Sequence, residues 1–225
     1  MELRYLGHSA VALSEGADRV LVDPFLTGNP KAAASAEEVE ATHILLTHGH
    51  GDHYGDTVQI AKRTGATVVA LVEIAGEIGE EGVDVRDPNI GGTVKFDWGW
   101  VKLVPAWHTS TTPKGTVTIP AGLLIEFHGT LVYHLGDTAL FSDLQLIGRR
   151  GDQVDVALVP IGGHYTMDRI DAVTAVEFVQ PRVVIPVHYD TFPPIETDAA
   201  QFKADVESQT QASCVLLAPG ETWSP

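Results

Sequence analysis

Residues 47–56, Thr47-His48-Gly49-His50-Gly51-Asp52-His53-Tyr54-Gly55-Asp56, constrain the chain more than any other stretch. His48, His50, Asp52 and His53 place three imidazoles and a carboxylate within six residues. These groups ligate divalent transition metals, and their density is poor for packing. Gly49 and Gly51 permit the tight backbone turns that aim neighbouring side chains at one point. The preceding Thr42–Leu46 reads as a buried strand, and the following Asp56–Arg63 as a helix. A loop at the carboxyl end of a strand is where α/β proteins place their sites.

The rest of the chain fits an α/β layer architecture. Residues 2–6, 10–15 and 19–23 read as short strands separated by Gly7-His8-Ser9 and Glu15-Gly16-Ala17-Asp18. An exposed helix is expected over Ala32–Glu40, a strand over Thr67–Leu71 and an acidic helix over Glu73–Glu80. Thr93–Phe96 and Trp100–Pro105 form a strand pair, and Ala121–Phe127 and Leu131–Leu135 a hairpin. Further on, helices are expected over Ser142–Arg150 with Ser142 as N-cap, Asp168–Val179 and Asp198–Ser208. Strands over Val154–Pro160, Arg182–Val187 and Cys214–Leu217 alternate with them. Meanders followed by alternating strands and helices predict two packed sheets with helices outside. No linker or low-complexity segment interrupts residues 1–225, which predicts one domain.

The net charge of −16, from 14 basic and 30 acidic residues, repels polyanions and argues against a nucleic-acid partner. No apolar run approaches the roughly 18 residues of a membrane span. The N-terminus lacks the basic and apolar regions of a signal peptide, so a cytoplasmic protein with no membrane partner is expected. The lone Cys214 reads as a core thiol.

The motif resembles that of the metallo-β-lactamase superfamily, a four-layer αββα sandwich holding one or two metal ions. That resemblance implies three further ligands, and the chain offers His108, Asp137 and His188, each just after a strand. It assigns His48, His50 and His108 to one ion and Asp52, His53 and His188 to the other, with Asp137 between them. The implied chemistry is hydrolysis of a small ester, lactone or phosphodiester by a metal-bridging hydroxide, with Asp52 orienting it. Zinc is the expected metal, and manganese, iron or nickel suit the same donors. Asp137 stands where many true β-lactamases carry Cys, which argues against antibiotic hydrolysis.

Tyr5-Leu6-Gly7-His8-Ser9, Asp23-Pro24-Phe25, Pro160–Met167 and His188-Tyr189-Asp190-Thr191-Phe192-Pro193 narrow the likeness. They resemble a branch of small metal-dependent hydrolases similar to ascorbate-6-phosphate lactonase. By the same resemblance His8 and His164 are expected on the pocket wall as substrate contacts or proton donors, with Tyr165 and Thr166 beside them. His134 reads as a hydrogen-bonding support, and Trp98, Trp100 and Trp107 as core. The expected partner is a small-molecule substrate; association into a homo-oligomer is left open. The competing readings are a phosphodiesterase or nuclease of the same fold, or a metal-binding protein without turnover.

Overall fold

A computed structural model describes residues 1–148 and 153–225. The chain opens with β1 (Glu2–Gly7), β2 (Ala10–Glu15) and β3 (Asp18–Val22), an antiparallel meander. β4 (His43–Leu45) leads into a single turn, α1 (Gly51–Tyr54), and then α2 (Thr57–Thr64). β5 (Thr67–Val69), α3 (Val72–Gly79) and β6 (Val85–Arg86) complete the first half. β3, β4, β5 and β6 are parallel neighbours.

The second half repeats this plan. β7 (Thr93–Phe96) and β8 (Gly99–Pro105) are antiparallel, and β9 (Ser110–Thr111) and β10 (Val117–Thr118) form a small separate ribbon. β11 (Ala121–Phe127) pairs antiparallel with both β8 and β12 (Thr130–His134). After the short α4 (Gln145–Gly148) come β13 (Val156–Pro160), α5 (Arg169–Val179), β14 (Val183–Val187), α6 (Ala199–Gln209) and β15 (Ser213–Cys214). β12 to β15 are parallel neighbours. The final β16 (Thr222–Trp223) returns to the edge of the first sheet beside β1. Two seven-stranded sheets result, in the order β16-β1-β2-β3-β4-β5-β6 and β15-β14-β13-β12-β11-β8-β7.

The side-chain period of two explains why the central strands are apolar throughout. On β13, Val156 and Leu158 join the core between the sheets, whereas Ala157 and Val159 join the outer core. That outer core contains Ala172, Val173 and Val176 of α5 and Phe202 and Val206 of α6. On the first sheet Ile74, Ala75 and Ile78 give α3 its buried face. Each fully buried Leu, Ile or Val contributes about 1.5–3 kcal/mol of transfer free energy. Among the described residues no helix is long and apolar enough to cross a membrane.

Three expectations need correction. Ala32–Glu40 forms turns, not a helix; Arg63 reaches across and takes the carbonyls of Ala36 and Val39, which helical bonds would have used. Ser142 is not an N-cap. It begins a 3₁₀ turn, Ser142–Leu144, that runs into α4, and its hydroxyl bonds Asp143 at 3.1 Å; Arg149 and Arg150 lie outside the described residues. Trp107 is 67% exposed and so is not core. Trp98 is buried as expected and donates its indole N–H to His43 Nδ1 at 3.2 Å.

Candidate metal centre

The parallel strands deliver their following loops to one end of the sandwich. His48, Asp137 and His188 follow β4, β12 and β14, His108 follows β8, and His8 sits in the turn between β1 and β2. Three hydrogen bonds tie the two sheets at this end: Ala121 N–H to Thr47 O at 2.9 Å, His188 N–H to His8 O at 2.8 Å, and His134 Nε2–H to Ser9 O at 3.0 Å. The motif also starts helical geometry earlier than the sequence suggests. α1 is stopped at Gly55, with φ +41°, where a Cβ would lie 2.3 Å from Pro24 O. Only glycine fits there.

The expected ligands converge. His48 Nε2 lies 3.1 Å from His50 Nδ1, and Asp137 Oδ2 lies 3.5 Å from His108 Nε2 and 3.2 Å from His188 Nε2. Asp137 Oδ1 is 3.2 Å from His53 Nε2. Candidate ligand atoms fall into three groups, each spanning no more than 4.8 Å: His48-His50-His108, His48-His53-Asp137 and His8-Asp52-His53-His188. Metal bonds of about 2.0–2.2 Å place donors of one tetrahedral shell about 3.3–3.6 Å apart, close to the 3.1–3.5 Å seen here. His53 Nε2, Asp137 Oδ1 and both ring nitrogens of His188 are buried without a hydrogen-bond partner. Such orphans cost about 1–3 kcal/mol each unless something binds them. The donor set therefore fits divalent cations.

Electrostatics point the same way. Burial holds the His48 imidazole well below its usual range, and the nearby His53 charge adds to this. Burial also lowers His108, against the pull of Asp137. Asp137 is driven upward by burial, but His53 and His188 outweigh that and hold it well below the carboxylate range. Burial disfavours protonated His53, yet Asp137 and Asp23 overcome it and raise the group well above its usual value.

Support behind the candidate ligands comes from Asp23, Thr47 and Asp56, to which the sequence pattern assigns no role. Asp23, fully buried with φ +45°, accepts from His53 Nδ1 at 2.7 Å, from Thr47 N–H at 2.8 Å and from Thr47 Oγ1 at 2.6 Å. A carboxylate only accepts, so the Thr47 hydroxyl points at Asp23 and must itself accept from His48 Nδ1, 3.0 Å away. Both imidazoles are thereby held with Nε2 unprotonated and facing the centre. The signal available in the sequence was the short Asp-Pro-Phe that closes β3. Asp56 accepts from the N–H groups of Leu26 and Thr27, at 3.0 and 2.8 Å, and anchors the loop beneath.

Two expected wall residues stand elsewhere. His8 is fully buried, not on a wall: Nε2 meets Asp52 Oδ2 at 3.1 Å and Nδ1 meets Thr191 Oγ1 at 2.9 Å. Burial lowers its pKa to about 4 against the opposing bond from Asp52, so the ring is neutral and cannot serve as an acid at pH 7. His164 is exposed, with φ +48°, and packs its ring on Tyr165 at 4.5 Å without itself lining the cleft. The turn that follows Gly163 presents Tyr165 instead. The cleft has a volume of about 550 Å³. His50, Asp52, His108, Asp137 and His188 line its floor, and Tyr165 and Phe192 its sides.

The fold and the centre together define a metallo-β-lactamase-type protein. The β-lactamase superfamily domain matches residues 2–188, and the chain belongs to that superfamily, in its branch of small metal-dependent hydrolases. A metal-dependent hydrolase of Thermus thermophilus is 51% identical over 98% of this chain and 97% of its own length. Another, from Thermococcus kodakarensis, is 45% identical over 98% of each chain. The solved structure of Igni18, a metallo hydrolase from Ignicoccus hospitalis, superposes with a TM-score of 0.90 at 38% identity, covering 99% of this chain and 97% of that one.

Proposed function

We propose that this hydrolase holds two divalent metal ions and cleaves a small ester, lactone or phosphodiester. His48, His50 and His108 would hold one ion, Asp52, His53 and His188 the other, and Asp137 would bridge. The observation that carries the reading is the set of orphaned donors, His53 Nε2, His188 Nε2 and Asp137 Oδ1, buried beneath an open cleft. Zinc suits the donors, and manganese, iron or nickel would also bind them. When bound, a divalent ion supplies Lewis acidity to a substrate oxygen and acidifies a water ligand from 15.7 to about 7.

The chain's own groups do the rest. Asp52 is ionised, because its bond from His8 and the His53 charge outweigh burial. Its carboxylate is one-third exposed, so it can take a proton from the attacking water and orient it. Tyr165 is 54% exposed on the cleft side, where its hydroxyl can donate to a leaving oxygen; this role passes to it from His164. The described lining holds no Lys or Arg, and two aromatic side chains flank the floor. That supports an uncharged carbonyl substrate over a phosphodiester, whose charge gains from fixed cations. The net charge of −16 opposes the nuclease reading.

Metal-loaded protein assayed on a matched aryl ester, lactone and aryl phosphodiester tests the proposal. Turnover of the carbonyl substrates, lost in Asp137→Asn, is expected. Fully loaded protein that hydrolyses none of the three would overturn the hydrolytic reading. Faster phosphodiester turnover would overturn only the preference.

A further inference from the structure

His8 is a buried, chemically capable side chain for which the hydrolytic reading has no step. It stands at φ +59°, in the left-handed region, at the end of the first strand, and its side chain is fully buried. A non-glycine residue is strained there and persists only where its surroundings hold it. Both ends of the residue are engaged. Its carbonyl accepts from His188 N–H at 2.8 Å and from the Tyr5 hydroxyl at 3.0 Å. His188 itself has φ +55°, so this bond braces a second left-handed residue.

The side chain completes a row of three. A carboxylate only accepts, so His8 Nε2 donates to Asp52 Oδ2 across 3.1 Å. On the other side of the ring Nδ1 meets the Thr191 hydroxyl at 2.9 Å. Thr191 also lies 3.4 Å from Tyr189 O, a much poorer partner for the same proton. The His8 ring packs at 4.1 Å, centroid to centroid, on the His188 ring, with the edges of Phe25 and Phe192 beside it at 5.8 and 5.6 Å. It is therefore held in one orientation.

We propose that His8 is a positioning residue, the middle of a Thr191–His8–Asp52 row that aims the Asp52 carboxylate, while its own carbonyl sets the backbone of His188. One residue of the first sheet thereby fixes two donors of one ion, Asp52 from the motif and His188 from the second sheet. His8 acts through Asp52 and touches neither solvent nor substrate. The inference rests on the two-ion reading above. It assigns Thr191, 139 residues beyond Asp52, a part in metal binding by the hydroxyl alone.

Cobalt(II) titration of the metal-free full-length protein, followed by visible absorption, reads the two binding steps separately. Wild type is expected to take two ions. Thr191→Val, which keeps the shape and removes the hydroxyl, is expected to keep that capacity but weaken one step by about 10–100-fold, the usual effect of losing a ligand's hydrogen-bonded support. Thr191→Ser, which restores the hydroxyl, should bring that step back to within about threefold of wild type. His8→Ala should weaken the same step and leave the other unchanged. Thr191→Val is near-isosteric, so a cooperative melt in that variant keeps the test decisive even where His8→Ala does not fold. Thr191→Val titrating as wild type overturns the proposal alone. His8→Ala that folds but refuses a second ion at saturating cobalt makes His8 a ligand and also overturns it. A wild type that takes a single ion overturns the two-ion reading and this inference together.

Discussion

Replacing Asp23 with Asn should disable the centre without touching any donor. Asp23 accepts three hydrogen bonds between 2.6 and 2.8 Å. Asn can still accept from Thr47 N–H with its carbonyl oxygen. Its amide N–H₂ would then occupy the position that now accepts from His53 Nδ1 and Thr47 Oγ1. His53 would have to turn Nδ1 into an acceptor and move its proton to Nε2, the atom that faces Asp137 at 3.2 Å. The Thr47 hydroxyl would reverse as well and donate to His48 Nδ1, which moves that ring's proton to Nε2. Each disturbed ligand is worth about 10–100-fold in metal affinity, or about 1.4–2.7 kcal/mol. One substitution therefore weakens two candidate donors, one for each of the two proposed ions. The metal-free protein should lose only about 1–3 kcal/mol, the cost of mismatched buried polar groups. Chelator competition at pH 7.5 measures the affinities, and denaturant unfolding measures the stability. Thr47→Val provides the graded comparison, because it removes the relay to His48 and leaves the His53–Asp23 bond in place. An Asp23→Asn protein that binds metal as tightly as wild type would refute the tautomer argument.

Two further outcomes test the fold around the site. Gly55→Ala should cost about 2–3 kcal/mol, since the new Cβ would meet Pro24 O at 2.3 Å at a φ of +41°; Gly65→Ala, with open space around its Cβ, should cost less, and equal melting temperatures would contradict this. Burial pushes the Cys214 thiol up to about 12, and Cys214 is 1% exposed. It should resist a disulfide reagent at pH 8 in the folded protein and react fully in denaturant; rapid reaction when folded would show that strand β15 opens.

The architecture was legible because hydrophobic period and turn residues decide it. The strands expected over Val154–Pro160 and Arg182–Val187 form over Val156–Pro160 and Val183–Val187, apolar because both their faces are covered. The convergence of the candidate donors was legible because these imidazoles and carboxylates follow strands that end on one side of the sheets. What escaped was set by contacts distant in sequence. Ala32–Glu40 carries helix-forming residues, but Arg63 competes for its carbonyls. The role of Asp23 was not legible, because its partners, Thr47 and His53, lie 24 and 30 positions away. His8 and His164 occupy similar post-strand turns, yet packing buries one completely and exposes the other. Position after a strand tells which end of the sheet a residue occupies, and not whether its side chain turns inward or out.

The central claim is that two metal ions share Asp137. Protein purified without chelator and crystallised with zinc, measured by elemental analysis and by anomalous scattering, tests it directly. The account expects two ions per chain, about 3.5–4 Å apart, one among His48, His50 and His108 and the other among Asp52, His53 and His188, with Asp137 touching both. A single ion, or two ions with Asp137 bound to neither, would contradict it.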